Sequence, residues 1–310
     1  MITLNTEKGL VRIESWDDII SRPGFVPKLD PAGAELEAII ATYNLPNKVN
    51  CGFPCNQPHN KGYVIATKDG RETNIGHDCG KAHFSVEFDE IRRIYERDFR
   101  NKERREQLET LQLRIPSYLN QIEAMRAGPT GADSTYRLIQ SLKTHGRGLP
   151  SILVEEIAKL VKARSGQIAI LRQATESEIE DLEAIRGTKI KRPHYFEMKV
   201  GYIQGISALY PEHDLRKILI LDIIERLRFI HPLDISSLDE KKLREHSKWG
   251  AQLDTKLELV EQILISADTL LSSSNLAQLG ALLTRNDEKG MFAKFLAQLE
   301  SEVQSAATTI

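Results

Sequence analysis

The chain has 310 residues, of which 41% are hydrophobic and 28% are charged, and its formal net charge is −2. A chain of this length can bury more than one core, so two or three domains are expected. The near-neutral charge excludes a protein that coats nucleic acid with its whole surface. Any contact with nucleic acid must therefore use a local basic patch.

The composition predicts a soluble, cytoplasmic protein with no membrane partner. The most apolar short run, residues 218–224, contains Asp222 and is flanked by charged residues, so it falls well short of the ~18 uncharged residues that a membrane span needs. The first residues lack the basic and then apolar order of a secretory signal. The three cysteines are an odd number and cannot all pair within the chain, which favours a reducing compartment.

The first 50 residues predict short elements that pack around a neighbouring module. Gly9–Ile13 has the composition of a short strand. Asp30-Pro31 is typical of a helix start, since proline is favoured at the first helical position. The apolar residues that follow recur at helical spacing until Pro46 and predict one buried face, formed by Leu36, Ile39, Ile40 and Tyr43.

All three cysteines lie between residues 51 and 79. Cys51-x3-Cys55 offers two thiolates from one tight turn. Cys79-x3-His83 places a thiolate and an imidazole one helical turn apart, on the same face of a helix. Because three cysteines and one histidine are a common ligand set for structural zinc, we predict a Zn²⁺ ion held by Cys51, Cys55, Cys79 and His83.

Between the two ligand pairs, residues 62–75 predict two strands joined at Asp69-Gly70, a strong hairpin signal. The order of a turn with two ligands, a hairpin and a helix start with two ligands resembles a treble-clef zinc finger over residues 51–84. The fourth ligand stays open at this point, because His59 and His77 are alternatives to His83. Three unrelated buried thiols are the alternative to the metal site as a whole.

From residue 87 onward the sequence predicts a long helix. Phe88, Ile91, Tyr95 and Phe99 continue one apolar stripe out of the cysteine module. A second stripe, away from the first, contains four arginines at spacings of four, three and four, which could meet successive phosphates of nucleic acid: Arg93, Arg97, Arg100 and Arg104. The alternative is an ordinary solvated face, neutralised by the acidic residues nearby.

Residues 157–185 show apolar positions that step by four and three, a heptad pattern with three polar interruptions. Such a seam needs a partner. The helix of residues 87–125 folded back as an antiparallel hairpin would supply one, and a second copy of the chain would supply another. Residues 191–310 predict a strand over 195–202, followed by a helical bundle.

The sequence contains no catalytic constellation. The deaminase signature, H-E-x-x-H, the Walker loop and G-x-G-x-x-G are all missing, so a structural role for zinc is favoured over a catalytic one. Two matches to the R-x(4–6)-H pattern of some helical ribonucleases, Arg226/His231 and Arg71/His77, are about as many as chance produces.

These observations predict a mainly α fold in three parts: an N-terminal segment with the zinc-bound hairpin module (1–86), a long helical hairpin or coiled coil (87–190) and a C-terminal helical bundle (191–310). The predicted function is a non-enzymatic, zinc-stabilised binding or adaptor protein whose partner is DNA or RNA. One alternative is a protein scaffold that forms a homodimer, or binds another protein, through the coiled coil. Another is a helical nuclease or effector of a bacterial or phage system.

Overall fold

The computed structural model of the chain describes residues 1–307, with side chains as far as residue 302. A five-stranded antiparallel sheet at the N-terminus is followed by a 50-residue helix and a largely helical C-terminal region. Contacts divide the chain into two compact units. The first unit contains Met1–Leu111 and Asp234–Gly250, and the second contains Gln112–Leu233 and the chain from Ala251 onward. The domain boundaries expected at residues 86 and 190 stay a prediction.

The mainly α class holds for the C-terminal region, whereas the N-terminal residues form a larger sheet than the predicted hairpin, so the structure is mixed α/β. Within the described residues, no helix combines the length and the apolar character that crossing a bilayer requires.

The sheet of the first unit has the strand order β2-β1-β3-β4-β5. The strands are β1 Ile2–Thr6, β2 Gly9–Ile13, β3 Leu36–Asn50, β4 Pro58–Thr67 and β5 Glu72–Ile75, and the short helix α1 spans Asp17–Ile20. The predicted strand over residues 9–13 and the predicted hairpin are both confirmed. In the hairpin turn Gly70 has a φ of 83°, a conformation that favours glycine, and Thr67 Oγ1 donates to Asp69 Oδ1 at 2.7 Å.

The helix predicted over residues 30–46 is wrong, because this segment contains most of strand β3. Leu36, Ile39 and Ala41 are all buried, although strict alternation would place Leu36 and Ile39 on opposite faces. The pairing of β3 with β4 shifts once between Leu36 and Ile39 and again between Ile39 and Ala41. A β-bulge adds one residue to a strand and so changes which side chains share a face. The two bulges therefore give the buried residues of β3 a spacing in sequence that resembles that of a helix.

The longest element, α2 (His77–Arg126), is interrupted at Ser85, whose φ of 48° and ψ of −126° are not helical. A short segment that ends at Phe84 is therefore followed by a long one. A proline inside a helix is expected to kink or break it, but the helix continues through Pro116 and its non-helical residue is Ser85. Residues of α2 as far as Leu111 belong to the first unit, and the rest belong to the second.

The sheet has a separate apolar core on each face. Val64 and Ile65 of β4 point in opposite directions and lie in different cores. The core around Val64 includes Ile19 of α1. The core around Ile65 is covered by the predicted apolar stripe of α2, where Phe88 and Tyr95 are buried, so that stripe is confirmed.

The second unit is mostly helical and has one large apolar core. Its helices are α3 Ala132–Lys143, α4 Ser151–Ala163, α5 Glu176–Arg186, α6 Glu225–Ile230, α8 Leu253–Leu271, α9 Ser273–Leu276 and α10 Asn286–Ala307, and its strands are β6 Gln167–Gln173 and β7 Tyr195–Tyr202. A π-helix, Arg216–Ile224, directly precedes α6. Helix α7, Glu240–Gly250, belongs to the first unit.

The continuous helix predicted over residues 157–185 is wrong, because β6 separates α4 from α5. A side chain at Gly166 would clash with the backbone carbonyl of Ile203, so the chain comes too close to that segment here for a helix to continue. Two positions of the predicted seam, Leu171 and Ile185, are 68% and 81% exposed. The long helical hairpin expected over residues 87–190, and a coiled-coil dimer built on it, therefore lack a continuous seam.

Strands β6 and β7 pair antiparallel, which confirms the predicted strand over residues 195–202. Two amide side chains form hydrogen bonds with backbone groups at the end of this two-stranded ribbon. Gln278 binds the N–H and the carbonyl of Tyr202, at 3.0 and 2.9 Å. Asn275 binds the same two groups of Gln204, at 3.0 and 3.1 Å. The two side chains take the place of a third strand over this short stretch.

Candidate metal centre

Two of the cysteines lie on the connection between β3 and β4. Cys51 directly follows β3 and is buried, whereas Cys55 is exposed. The connection is tight, since the Asn56 N–H donates to the Phe53 carbonyl at 3.0 Å and Asn56 has a φ of 46°. The Gly52 N–H donates to strand β5 at 2.7 Å. Both ends of the loop are therefore anchored in the sheet, one where β3 ends and the other where β4 begins.

The third cysteine, Cys79, is half-buried in the first turn of α2. This turn begins two residues after β5, so the same sheet that holds the loop also positions the helix start. A side chain at the adjacent Gly80 would clash with the ring of Phe88, which shows how closely the turn packs on the rest of the helix. The turn that contains Cys79 is thus held between strand β5 and the ring of Phe88, which packs on Gly80.

The three sulfur atoms all lie within 4.8 Å of one another. Cys55 Sγ and Cys79 Sγ are 3.0 Å apart, well beyond the ~2.05 Å of a disulfide bond, and all three cysteines are free thiols. A Zn–S bond of ~2.3 Å places the sulfur atoms of a tetrahedral site about 3.8 Å apart. The predicted meeting of the three thiols is confirmed, and the cluster could hold a metal ion.

Some neighbouring groups stabilise a negative charge on the sulfur atoms, and burial opposes it. The backbone amides of Phe53 and Gly76 donate to the Cys51 sulfur, although burial still raises the pKa of this thiol. Burial also raises the pKa of Cys79, to about 12, and its hydrogen bond with Cys55 adds to the effect. Burial opposes ionisation of Cys55 as well, but its hydrogen bonds with Cys79 and the Gln57 amide lower its pKa. A bound cation would supply the positive charge that three adjacent thiolates need.

No histidine joins this cluster: among the described residues, no imidazole nitrogen lies within 4.8 Å of all three sulfur atoms. His59 uses both of its ring nitrogens elsewhere. Its Nε2 lies 2.5 Å from the Tyr43 hydroxyl and its Nδ1 lies 3.0 Å from the Gln57 carbonyl oxygen. Both hydrogen bonds would break if His59 turned toward a metal ion.

The other two histidines are exposed and lie on the first segment of α2. His77 Nδ1 lies 3.2 Å from the Asp78 carboxylate. The ring of His83 packs edge-to-face on Phe53, with the ring centres 4.9 Å apart, and Phe53 belongs to the loop that contains Cys51 and Cys55. His83 therefore reaches toward the correct loop, and its role as the fourth ligand stays a prediction.

Sequence reasoning missed the aromatic and amide groups that support the cluster. Tyr43 packs on His59 and accepts a hydrogen bond from the Asn74 side chain at 3.4 Å. Recognising β3 as a strand would have placed Tyr43 beside β4, where His59 lies. The amides of Phe53 and Gly76 have no sequence signal beyond the cysteine spacing itself, because every residue other than proline has an N–H group.

The four arginines of the predicted stripe lie on α2 within the first unit. Arg93, Arg97 and Arg100 are exposed, and Arg104 is partly buried. Arg97 Nε lies 3.2 Å from Asp98, Arg100 Nη1 lies 3.8 Å from Glu96, and Arg104 Nη1 donates to Asn101 at 3.1 Å. Among the described residues Arg93 has no carboxylate within 4.0 Å. The stripe is therefore partly neutralised, as the alternative interpretation expects.

The two arginine–histidine matches lie in different places. Arg71 pairs with Asp69 in the β4–β5 turn, through a 2.7 Å hydrogen bond, and His77 lies beside Asp78. Arg226 is in α6 and His231 directly follows that helix. Comparison with protein-family models, with curated proteins and with solved structures finds no match to the chain. The metal-binding interpretation therefore depends on the geometry of the three thiols alone.

Proposed function

We propose that the chain is a non-enzymatic binding protein whose first unit is stabilised by one structural zinc ion. The observation that carries this proposal is the group of three free thiols within 4.8 Å of one another. Thiolates are soft ligands that favour zinc over magnesium or calcium. With His83 as the fourth ligand the site would be closed, and a closed tetrahedral site leaves no position for a reacting water.

The ion would link two parts of the first unit that the chain brings together only through the sheet. Cys55 and Cys79 are 24 residues apart in sequence, on the β3–β4 loop and on the first turn of α2. The order of loop, β4–β5 hairpin and helix start supports the treble-clef resemblance. When zinc is bound it supplies positive charge and four fixed bonds, while the chain supplies the backbone amides that donate to Cys51 and Cys55.

The metal content of purified variants tests this proposal. We expect one zinc per chain in the native protein, measured by atomic emission, and loss of zinc in each single Cys→Ser variant. His83→Ala is expected to lower the zinc content as well, whereas His59→Ala and His77→Ala keep it. His145→Ala, in an exposed position outside the first unit, is the matched control. Full zinc content in Cys79→Ser, or none in the native protein, would reject the site.

The partner we propose is DNA or RNA, bound in the cytoplasm through the arginine stripe of α2. Ion pairs between exposed side chains contribute little, about 0–1 kcal/mol each, so phosphates can replace the carboxylates near Arg97 and Arg100. Arg93 already has no such neighbour among the described residues. The stripe runs 11 residues along the helix, about 16 Å, which is enough to meet several phosphates.

Replacing the stripe is expected to remove most of the affinity for nucleic acid. The change is Arg93, Arg97, Arg100 and Arg104 to glutamine in one variant. Because each phosphate contact contributes about 0.7–0.9 to the slope of log K against log[salt], the slope should fall by about three. Fluorescence anisotropy with a labelled duplex DNA and a labelled single-stranded RNA, at several salt concentrations, measures it.

The matched control removes four exposed cations from α7 of the same unit: Lys241, Lys242, Arg244 and Lys248. This variant changes the net charge by the same amount, so it should keep the salt slope if the stripe is the specific contact. Equal losses in the two variants would show a non-specific charge effect. Equal affinity of the native protein and the stripe variant would reject the nucleic-acid partner.

A further inference from the structure

The second unit contains a cavity of 370 Å³ between α3 and the π-helix Arg216–Ile224. Pockets that hold small molecules have volumes of about 300–1,000 Å³, so this cavity matches a ligand at the small end of that range. Tyr136 and Arg137 line it from α3, and Arg216 lines it from the π-helix. None of these residues belongs to the metal centre or to the arginine stripe.

The charge of the cavity is positive. Arg126 and Asp133, which also line it, neutralise each other through hydrogen bonds of 3.1 and 2.8 Å. Arg137 and Arg216 are left: both side chains are exposed, and within the described part of the chain neither guanidinium has a carboxylate within 4.0 Å. Asp214, the nearest acidic residue in sequence, accepts from the backbone N–H of Arg216. Two unpaired guanidiniums at one cavity favour an anion that can accept several hydrogen bonds, as phosphate does.

Part of the cavity lining is apolar. Leu215 and Leu219 are 3% and 1% exposed, and Ile220 continues the same wall. A free inorganic anion would fill the charged side of the cavity and leave this wall in water. A ligand with an anionic group and an apolar or aromatic body would bury both sides.

The backbone on one side of the cavity is unusual. Arg216–Ile224 forms nine residues of π-helix, in which the N–H groups bond five residues back, as the Glu225 N–H does to the Ile220 carbonyl. π-helical turns are rare and occur frequently at functional sites. The widened turn begins at Arg216 and contains both Leu219 and Ile220, so it shapes the charged and the apolar sides of the cavity together.

We infer that this cavity binds an organic monophosphate with an aromatic or apolar body, the phosphate lying between Arg137 and Arg216 and the body on Leu215, Leu219 and Ile220. The Tyr136 hydroxyl supplies a further hydrogen bond. The inference is independent of the zinc site and of the arginine stripe, and it gives the second unit a ligand of its own.

Isothermal titration of the purified 310-residue chain with adenosine 5′-monophosphate, adenosine and inorganic phosphate tests the inference. We expect the monophosphate to bind at least ten times more tightly than either fragment. Arg137→Gln and Arg216→Gln should each weaken it by about tenfold or more, since each removes a charged hydrogen bond.

Two further variants locate the site. Arg147 lines a different cavity of 360 Å³, to which Arg137 also contributes. Arg285 pairs with Asp287 at 2.6 Å and lines neither cavity. Arg147→Gln and Arg285→Gln should leave the affinity unchanged. No binding of the monophosphate, equal affinity for inorganic phosphate, or a loss of affinity in Arg147→Gln that Arg216→Gln does not show would each overturn the inference.

Discussion

Removal of the proposed zinc ion by a chelator, under reducing conditions, is expected to lower the melting temperature of the first unit by about 10 °C, and Cys79→Ser should have the same effect without chelator. A ligand at about 1,000 times its Kd stabilises a folded protein by about 4 kcal/mol, and a unit of this size shifts by about 2–4 °C for each kcal/mol. Circular dichroism during heating, with a reductant present, measures the change. The reductant is needed because Cys55 and Cys79, 3.0 Å apart, would otherwise form a disulfide once the metal leaves.

The pH dependence of this stabilisation has a definite sign. The proposed zinc ion would bind the deprotonated thiols, so its binding would release protons and its apparent affinity would fall as the pH is lowered. The difference in melting temperature between the zinc-loaded and the chelated protein should therefore be largest at neutral pH and disappear in acid. Addition of chelator to Cys79→Ser, in which the site is already broken, should change nothing. Identical melting of the native protein with and without chelator would contradict a structural role for the metal.

Gly205→Ala is expected to destabilise the second unit by about 3 kcal/mol. Gly205 has a φ of 70°, and a left-handed conformation costs a residue with a Cβ about 1–2 kcal/mol. A Cβ at this position would also clash with the carbonyl of Ser266 and lie 2.8 Å from the amide nitrogen of Leu270, both on α8. Relieving that clash requires a backbone shift of the kind that costs about 1–3 kcal/mol. Urea unfolding measures the loss.

Gly187→Ala is the matched control for this substitution. Gly187 ends α5 with a φ of 65°, almost the same as that of Gly205, but no other atom lies within 4 Å of the position that its Cβ would occupy. It should therefore show the conformational cost alone, about 1–2 kcal/mol. If the two variants lose the same stability, the close approach of Gly205 to α8 has no energetic effect.

The elements that the sequence predicts correctly are those with a local cause. The Asp69-Gly70 turn needs a positive φ at Gly70, and the strand over residues 195–202 alternates in polarity. The prediction fails where a long-range partner changes the spacing. The bulges of β3 arise from its pairing with β4, and the end of the supposed heptad helix at Gly166 arises from a backbone segment about 40 residues later.

The candidate metal centre was only partly predictable for the same reason. Cysteine is rare in this chain, so the clustering of Cys51, Cys55 and Cys79 in sequence was enough to place three thiols together. The histidines gave no such signal for the fourth ligand, because three of them lie in the same segment and the sequence alone does not distinguish them. Only the three-dimensional contacts separate His59, with both nitrogens bonded, from His83, with its ring on the cysteine loop.

The amide pairs of Asn275 and Gln278 have a consequence for the behaviour of the chain at high concentration. A two-stranded ribbon exposes unpaired backbone groups along both edges, and such edges recruit strands from other molecules into aggregates. At Tyr202 and Gln204 the donor and the acceptor of each residue are already occupied. An incoming strand finds no free partner there, so this end of the ribbon is protected against edge-to-edge association without the help of proline or charge.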